Sequence, residues 1–341
     1  LAGGPGALFW MWIAAFFGMA TKYSEGFLAV KYRTIDSEGH VLGGPFYYIE
    51  NGMGKKWKWL AKIFAFFGAC VGLMGIGTFS QVNGISSAVV GFFDPNCENT
   101  VTIFGNTYSI VTVISGVIIA LCAGLVIIGG LKRISSVSQV VVPFMALLYI
   151  IAVVVLLICN ITKIPAAIVE IIEGAFGIRP IAGGMLASML ISMRNGVARG
   201  IFSNESGLGS APIAAAAAKT HEPVRQGLIS MTGTFIDTIV ICTMTGLSIV
   251  MMGSWSNEAL QGVQVTTDAF QKGLHFLPAQ AASFILMICL VFFAFTTILG
   301  WNYYGERCLE YLSGKNKVAV MIYRILYIAA VFIGPYMTVS E

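Results

Sequence analysis

The sequence predicts an all-α, polytopic helical membrane protein. Of its 341 residues, 57% are hydrophobic and only 11% are charged, and the mean hydropathy is +0.83. Soluble domains carry about a quarter charged residues, so a soluble fold is excluded. The charged residues form short clusters between apolar stretches that are long enough to cross a bilayer as helices. In that setting a net charge of +4 gives no indication of nucleic-acid binding.

Eight apolar stretches are predicted to span the membrane. They cover about residues 6–32, 58–93, 108–131, 137–160, 183–218, 225–252, 280–308 and 317–338. Together they form a single transmembrane domain over residues 1–341. Three segments between them differ from ordinary spans: a short interfacial helix at 43–56, an amphipathic helix at 163–180, and a polar loop at 256–278 with a short helix near 265–274.

The loops between these stretches alternate in charge. Basic clusters follow the first, third, fifth and seventh stretches, and the other loops are acidic or mixed. Positive loop charge marks the cytoplasmic side of a membrane protein. The sequence therefore predicts a multi-pass protein of the plasma membrane with its basic loops in the cytoplasm.

The fifth stretch contains a run that is poorly suited to a continuous helix in hydrocarbon. Residues 200–212 read GIFSNESGLGSAP, and glycine and proline both weaken a helix interior. Backbone groups freed in lipid have no water to satisfy them, so such a break is tolerated where it lines a cavity. We predict a helix, a break and a second half-helix that starts near Pro212. A kinked helix with glycine packing is the alternative.

Polar side chains in and near this run are candidates for specific roles. Asn204 and Glu205 are expected to hold the break open, and Glu205 could pair with Arg199 or Arg194. Asp237 in the sixth stretch is a carboxylate at membrane depth for which the sequence suggests no partner. Lys22 and Glu25, three residues apart in the first stretch, could pair with each other.

The second and seventh stretches add further candidates. Thr296 and Thr297 offer hydroxyl oxygens that suit a hard cation such as sodium, although each hydroxyl could instead bond to its own helix. Trp301 lies four residues beyond Thr297 on the same face and could close an apolar pocket. Gln81 could bind a ligand amine or carboxylate, or bond between helices. The seven cysteines mostly lie in apolar stretches without metal-type spacing.

Four segments resemble the sodium:alanine symporter family, whose members couple alanine or glycine uptake to a cation. These segments are residues 3–12 (GGPGALFWMW, followed by Gly18), 21–25 (TKYSE), 43–49 (GGPFYYI) and 203–213 (SNESGLGSAPI). The resemblance extends over essentially the whole chain. It implies a leucine-transporter-like fold of two inverted five-helix repeats, in which the first helix of each repeat is broken.

The resemblance also implies roles for individual residues. The first stretch looks like the second helix of that fold, and the fifth like its sixth, broken helix. Substrate contacts are then implied for Gln81, Phe202, Ser203, Ser206, Gly207, Gly209 and Trp301, and a sodium site for Thr296 and Thr297. The fold's broken first helix is expected upstream of Leu1, and its last helices beyond the eighth stretch. The fragment alone is therefore not expected to transport.

The function expected from this resemblance is sodium-driven uptake of alanine or glycine by alternating access. No cofactor is expected apart from sodium as the coupling ion. The expected partners are alanine or glycine, sodium and the lipid bilayer, with no nucleic acid, and the oligomeric state is left open. Two other classes are weighed: a channel or proton-coupled carrier that uses Asp237 or Glu205, and an intramembrane serine hydrolase. Neither Ser206 nor Ser210 lies in a G-x-S-x-G turn, and no histidine lies at membrane depth.

Overall fold

The structure is a computed structural model that describes residues 3–35, 41–103, 105–178, 184–257 and 259–337. The α-helices in these ranges are α1 (Gly6–Lys31), α2 (Pro45–Tyr48), α3 (Lys58–Met74), α4 (Gln81–Phe93), α5 (Ile110–Ile128), α6 (Gly130–Cys159), α7 (Ile164–Ala175), α8 (Met185–Asn204), α9 (Ala211–Ala215), α10 (Pro223–Thr234), α11 (Thr243–Met251), α12 (Val263–Gly273), α13 (Ala279–Leu312) and α14 (Lys317–Ile333).

Two short antiparallel hairpins accompany the helices. One pairs β1 (Thr34–Ile35) with β2 (Val41–Leu42), and the other pairs β3 (Thr100–Ile103) with β4 (Asn106–Ser109). Neither hairpin was expected, because strands this short leave little alternation of apolar and polar residues in a sequence.

Six helical segments in the described chain are long and apolar enough to cross a membrane. They are Lys55–Phe93, Ile110–Ile128, Arg133–Cys159, Pro223–Met251, Ala279–Leu312 and Lys317–Tyr336. Each lies on one of the predicted stretches. The other two predicted stretches, 6–32 and 183–218, contain α1 and the pair α8 and α9 but are not among these six. The predicted limits at residues 183 and 338 lie outside the described residues, and the count of eight spans stays a prediction.

The chain divides into two compact units. The first unit comprises Leu1–Ala61, Val153–Gln261 and Asp268–Gly273, and the second comprises Lys62–Ala152, Gly262–Thr267 and Leu274–Glu341. The prediction of one transmembrane domain did not foresee this division.

The first unit is built around α1, which packs against α7, α8, α9 and α10. Small residues permit this close packing, as is usual between membrane helices. A Cβ atom added to Gly26 would lie 2.4 Å from the Ser230 Oγ atom of α10, and one added to Gly196 of α8 would lie 2.3 Å from the Ala7 carbonyl oxygen. The glycines at these two contacts thus set how near α8 and α10 lie to α1.

In the second unit, α13 packs against α4, α5 and α14. The Tyr327 hydroxyl donates to the Ile298 carbonyl oxygen at 2.7 Å. The Arg324 guanidinium donates to both Glu306 carboxylate oxygens, at 2.8 and 2.6 Å. These contacts join α14 to α13 at two levels.

The second predicted stretch, 58–93, is not a regular helix. Helix α3 ends at Met74, Gly75 is extended (φ −101°, ψ −156°), and a wide π-helical segment at Ile76–Ser80 leads into α4. The buried Thr78 hydroxyl donates to the Gly72 carbonyl oxygen at 2.6 Å, which satisfies a backbone group near the interruption. The predicted stretch is therefore interrupted at Gly75 and continues as α4.

Candidate functional site

The predicted break in the fifth stretch is present, and it is narrower than expected. Helix α8 continues to Asn204, so residues 200–204 are helical. Glu205 then adopts a left-handed conformation (φ 56°, ψ 23°), and Gly207 and Gly209 follow with φ of 84° and 77°. Left-handed backbone costs about 1–2 kcal/mol for a residue with a side chain, which explains the two glycines. The helical path resumes at Ala211, and the half-helix α9 has only five residues.

The side chains of Asn204 and Glu205 bridge the break, as predicted. The Asn204 carboxamide accepts from the Ser206 N–H at 3.0 Å and donates to the Thr238 hydroxyl at 3.0 Å. The Ser210 hydroxyl donates to the Glu205 carboxylate at 2.7 Å. Glu205 therefore bonds within the break, and the expected pairing with Arg199 or Arg194 was wrong.

Two charged side chains of α1 also reach the broken segment. The Lys22 ammonium donates to the Asn204 carbonyl oxygen at 2.7 Å, and the Gly209 N–H donates to the Glu25 carboxylate at 3.2 Å. Lys22 and Glu25 share a face of α1, but each bonds to the broken segment, which corrects the expectation that they pair with each other. Glu25 is 7% exposed, and its second carboxylate oxygen has no hydrogen-bond partner among the described residues.

Asp237 has a partner that the sequence did not indicate. The Ser203 hydroxyl lies 3.0 and 2.8 Å from the two Asp237 carboxylate oxygens, and the Thr238 hydroxyl donates to the same carboxylate at 2.9 Å. Asp237 and Thr238 lie on a π-helical segment (Phe235–Cys242) between α10 and α11. The wider turn brings both side chains to the last turn of α8. A polar network therefore joins the end of α8 to this segment.

The predicted substrate residues of the first unit differ in accessibility. Phe202 is half-buried, Ser203 and Gly207 are exposed, and Ser206 and Gly209 are buried. The Ser206 hydroxyl lies 3.3 Å from that of Thr234. It also lies 3.1 Å from where a Cβ atom on Gly18 would be. The hydroxyl of Ser206 is thus already occupied by neighbouring helices.

The remaining predicted site residues belong to the second unit. The Thr296 and Thr297 hydroxyls both donate to the Phe293 carbonyl oxygen, at 2.9 and 3.0 Å, which is the alternative that the sequence left open. Their oxygen lone pairs can still accept or coordinate. A Cβ atom on Gly77 would lie 2.0 Å from Trp301 Cγ, so the indole packs directly on the π-helical segment before α4. Gln81, half-buried, starts α4 immediately after that segment.

The predicted site residues therefore divide into two sets. Phe202, Ser203, Ser206, Gly207 and Gly209 lie in the first unit, and Gln81, Thr296, Thr297 and Trp301 lie in the second. Sequence reasoning named Lys22 and Glu25 but missed their hydrogen bonds to the broken segment. A lysine and a glutamate three residues apart inside an apolar stretch were the available signal.

None of the described residues form a cluster of three or more histidine, cysteine, aspartate or glutamate side chains that could hold a metal ion. The seven cysteines have no disulfide partners. The polar chemistry of the described chain is instead that of hydroxyls, amides, backbone groups and a few buried charges. Such groups suit small polar ligands and alkali cations better than transition metals.

The described residues contain six helical segments able to cross a membrane and a polar break that charged side chains contact, as in an integral membrane protein. The sequence profile of the sodium:alanine symporter family matches residues 1–341. The chain belongs to that family, and the resemblance drawn from its motifs is confirmed.

Known proteins show the same relationship. A Haemophilus influenzae protein described as an uncharacterised transporter is 52% identical over 98% of this chain and 69% of its own length. The sodium/alanine symporter AgcS of Methanococcus maripaludis is 44% identical over 97% of this chain and 69% of its own length. A Bacillus subtilis protein described as a probable sodium/glutamine symporter, GlnT, is 37% identical over 97% of this chain and 64% of its own length.

Family membership assigns the chain to sodium-coupled amino-acid symport in a membrane. It also removes the intramembrane hydrolase hypothesis, because the family and these relatives are transporters and not enzymes. The names of the relatives include more than one amino acid, so membership alone does not select the substrate.

Proposed function

We propose that this protein couples sodium entry to the uptake of alanine or glycine by alternating access. The observation that carries the proposal is the break at residues 205–210, where the helical path stops beside polar side chains in a stretch that the sequence predicts to lie in the membrane. Backbone of this kind at membrane depth is tolerated where it lines a cavity or holds a ligand. The relationship to a sodium/alanine symporter at 44% identity supports alanine as the substrate.

The proposed substrate contacts in the first unit come from the end of α8 and the break. Phe202 supplies an apolar surface, and Ser203 supplies a hydroxyl that Asp237 orients. Gly207 and Gly209 offer backbone carbonyls without a side chain of their own to cover them, since the Gly209 N–H already bonds to Glu25. Ser206 contributes through its carbonyl oxygen, because its hydroxyl already faces Thr234 and its N–H bonds to Asn204.

The proposed contacts in the second unit come from α4 and α13. Gln81 supplies an amide that can bond the substrate's carboxylate or ammonium group, and Trp301 forms an apolar wall that limits side-chain size. Thr296 and Thr297 supply hydroxyl oxygens to sodium, which requires hard oxygen ligands. In this proposal their bonds to Phe293 orient the oxygens and leave lone pairs for the ion.

For alternating access, we propose a leucine-transporter-like arrangement of inverted repeats. In such carriers, broken helices sit near the bilayer midplane, and one bundle rocks against another around the site. We further propose that the basic loops face the cytoplasm, because positive charge is retained on that side.

Substrate identity can be tested by competition against labelled alanine uptake, with the full-length protein in proteoliposomes. We expect unlabelled alanine and glycine to compete, and glutamine or leucine to compete weakly. Trp301→Ala should raise competition by larger amino acids, and Trp301→Phe, the matched control, should retain the narrow range. An unchanged range in Trp301→Ala would remove Trp301 from the pocket wall. Equal competition by glutamine in the wild type would contradict the proposed substrate class.

A further inference from the structure

We propose that Lys22 and Arg33 are positioning residues that hold the two carbonyl ends of the broken helix against α1. By this proposal, α1 and residues 204–220 keep one fixed arrangement while substrate binds. The idea rests on the proposed function only in assigning the break to substrate binding. The contacts that define the proposal are independent of which substrate is carried.

The first carbonyl end is that of α8. The last carbonyls of a helix lack intrahelical partners and carry partial negative charge. Lys22, half-buried on α1, donates its ammonium to the Asn204 carbonyl oxygen at 2.7 Å, one residue before the left-handed turn at Glu205. A positive side chain at this place donates a hydrogen bond to the carbonyl and is attracted by the partial negative charge at the C-terminal end of α8.

The second carbonyl end follows the half-helix α9. The Arg33 guanidinium donates to three backbone carbonyls, those of Ala216, Ala218 and Thr220, at 2.8, 2.6 and 2.7 Å respectively. A five-residue helix is too short to be stable by itself. The planar guanidinium can satisfy several acceptors at once, which a lysine ammonium does less specifically. Arg33 therefore stabilises the short half-helix α9 and the residues that follow it.

The signs of the charges on α1 and on Arg33, two residues after its end, match the backbone groups that they meet. Lys22 meets a carbonyl, Glu25 meets the Gly209 N–H, and Arg33 meets carbonyls again. Their order along the chain is also the order of their partners along the broken segment. Each of these backbone groups is thus paired with a side chain of opposite charge.

Hydrogen exchange of backbone amides tests this inference on the full-length protein in nanodiscs. In Lys22→Met and Arg33→Met, we expect amides in peptides covering residues 204–220 to exchange about tenfold faster, because hydrogen bonds to charged groups are lost. Peptides from α13 should be unaffected. Lys22→Arg keeps the positive charge and should therefore exchange as slowly as the wild type. Arg33→Lys should give an amide exchange rate between those of the wild type and Arg33→Met.

Lys31→Met provides the matched control, because Lys31 lies on the same helix and contacts the rings of Phe27 and Tyr32. It should leave exchange in residues 204–220 unchanged. In labelled alanine uptake, Lys22→Met should lower the maximal rate more than the apparent affinity for alanine, and Lys22→Arg should recover it. Unchanged exchange in both methionine variants, or an equal effect of Lys31→Met, would overturn the inference. A wild-type protein that does not carry alanine would overturn the proposed function and leave the exchange result standing.

Discussion

At the scale of single residues, the Thr297 hydroxyl bonds to its own helix and keeps the oxygen lone pairs that the proposed sodium site would use. Its proton is directed at the Phe293 carbonyl, so the oxygen lone pairs point away from that bond. Thr296 makes the same bond. Two neighbouring hydroxyls held in this way present oxygen atoms with fixed direction, which is what a weakly bound cation requires.

Thr297→Ala should weaken sodium dependence. Loss of an unreplaced cation ligand is expected to cost about 1–3 kcal/mol, or a roughly 5- to 150-fold higher sodium concentration for half-maximal uptake. The measurement is alanine uptake as a function of sodium. Thr297→Ser, which retains the hydroxyl, should behave nearly as the wild type. Unchanged sodium affinity in Thr297→Ala would mean that the hydroxyl serves only its own helix.

Several residue-scale features could be predicted from sequence, and others could not. The break and the glycines within it follow from local chemistry, because left-handed backbone favours glycine. The partner of Asp237 could not be predicted, because Ser203 lies 34 positions away and meets it only through the π-helical segment. Such tertiary contacts depend on how one helix is wound and not on local composition.

At the scale of elements, Asp94 joins the C-terminal end of α4 to Ser109 at the start of α5. Ser109 caps α5 by accepting from the Val111 N–H at 3.2 Å, and its hydroxyl donates to the Asp94 carboxylate at 2.5 Å. The Glu98 N–H donates to the other Asp94 oxygen at 2.9 Å. The bond from Ser109, with smaller contributions from backbone N–H groups, lowers the pKa of Asp94 below its ordinary value.

A lowered folded-state pKa means that ionised Asp94 stabilises the fold above its unfolded-state pKa. That stabilisation is lost as the pH falls through the folded-state value. Asp94→Asn should therefore lower the thermal unfolding midpoint near pH 7. The difference from the wild type should shrink as the pH falls below about 4, the ordinary range of an aspartate. Thermal unfolding in detergent from pH 3 to 7 measures this, and a difference that does not change with pH would contradict the assignment.

Elements also differed in how well they could be predicted. Helices α1, α13 and α14 begin within one residue of their predicted starts, because long apolar runs with polar flanks mark helix ends clearly. The interruption at Gly75 was not predicted, because glycine is common inside membrane helices and composition alone does not distinguish packing from a break.

At the scale of the whole molecule, the sequence predicted the class and the family well and the spatial organisation poorly. Hydropathy is a property of composition, so the membrane assignment needed no tertiary information. The division into two compact units depends on contacts between distant segments. This explains why the candidate residues could be named from motifs while their assignment to two units could not.

Membrane orientation can be tested with a native cysteine. Cys97 is exposed in the loop between α4 and β3, which the charge pattern places on the outer side. A membrane-impermeant maleimide added to intact cells should label Cys97, and Cys97→Ser should abolish that labelling. Labelling that requires permeabilised cells would reverse the proposed orientation.

The central claim is that sodium drives the uptake of a small neutral amino acid. Its most direct test is the accumulation of labelled alanine in proteoliposomes that contain the full-length protein, under an imposed gradient of either sodium or protons. We predict accumulation above the external concentration with an inward sodium gradient, and none with a proton gradient alone. Uptake that ignores the sodium gradient and follows the proton gradient would contradict the claim.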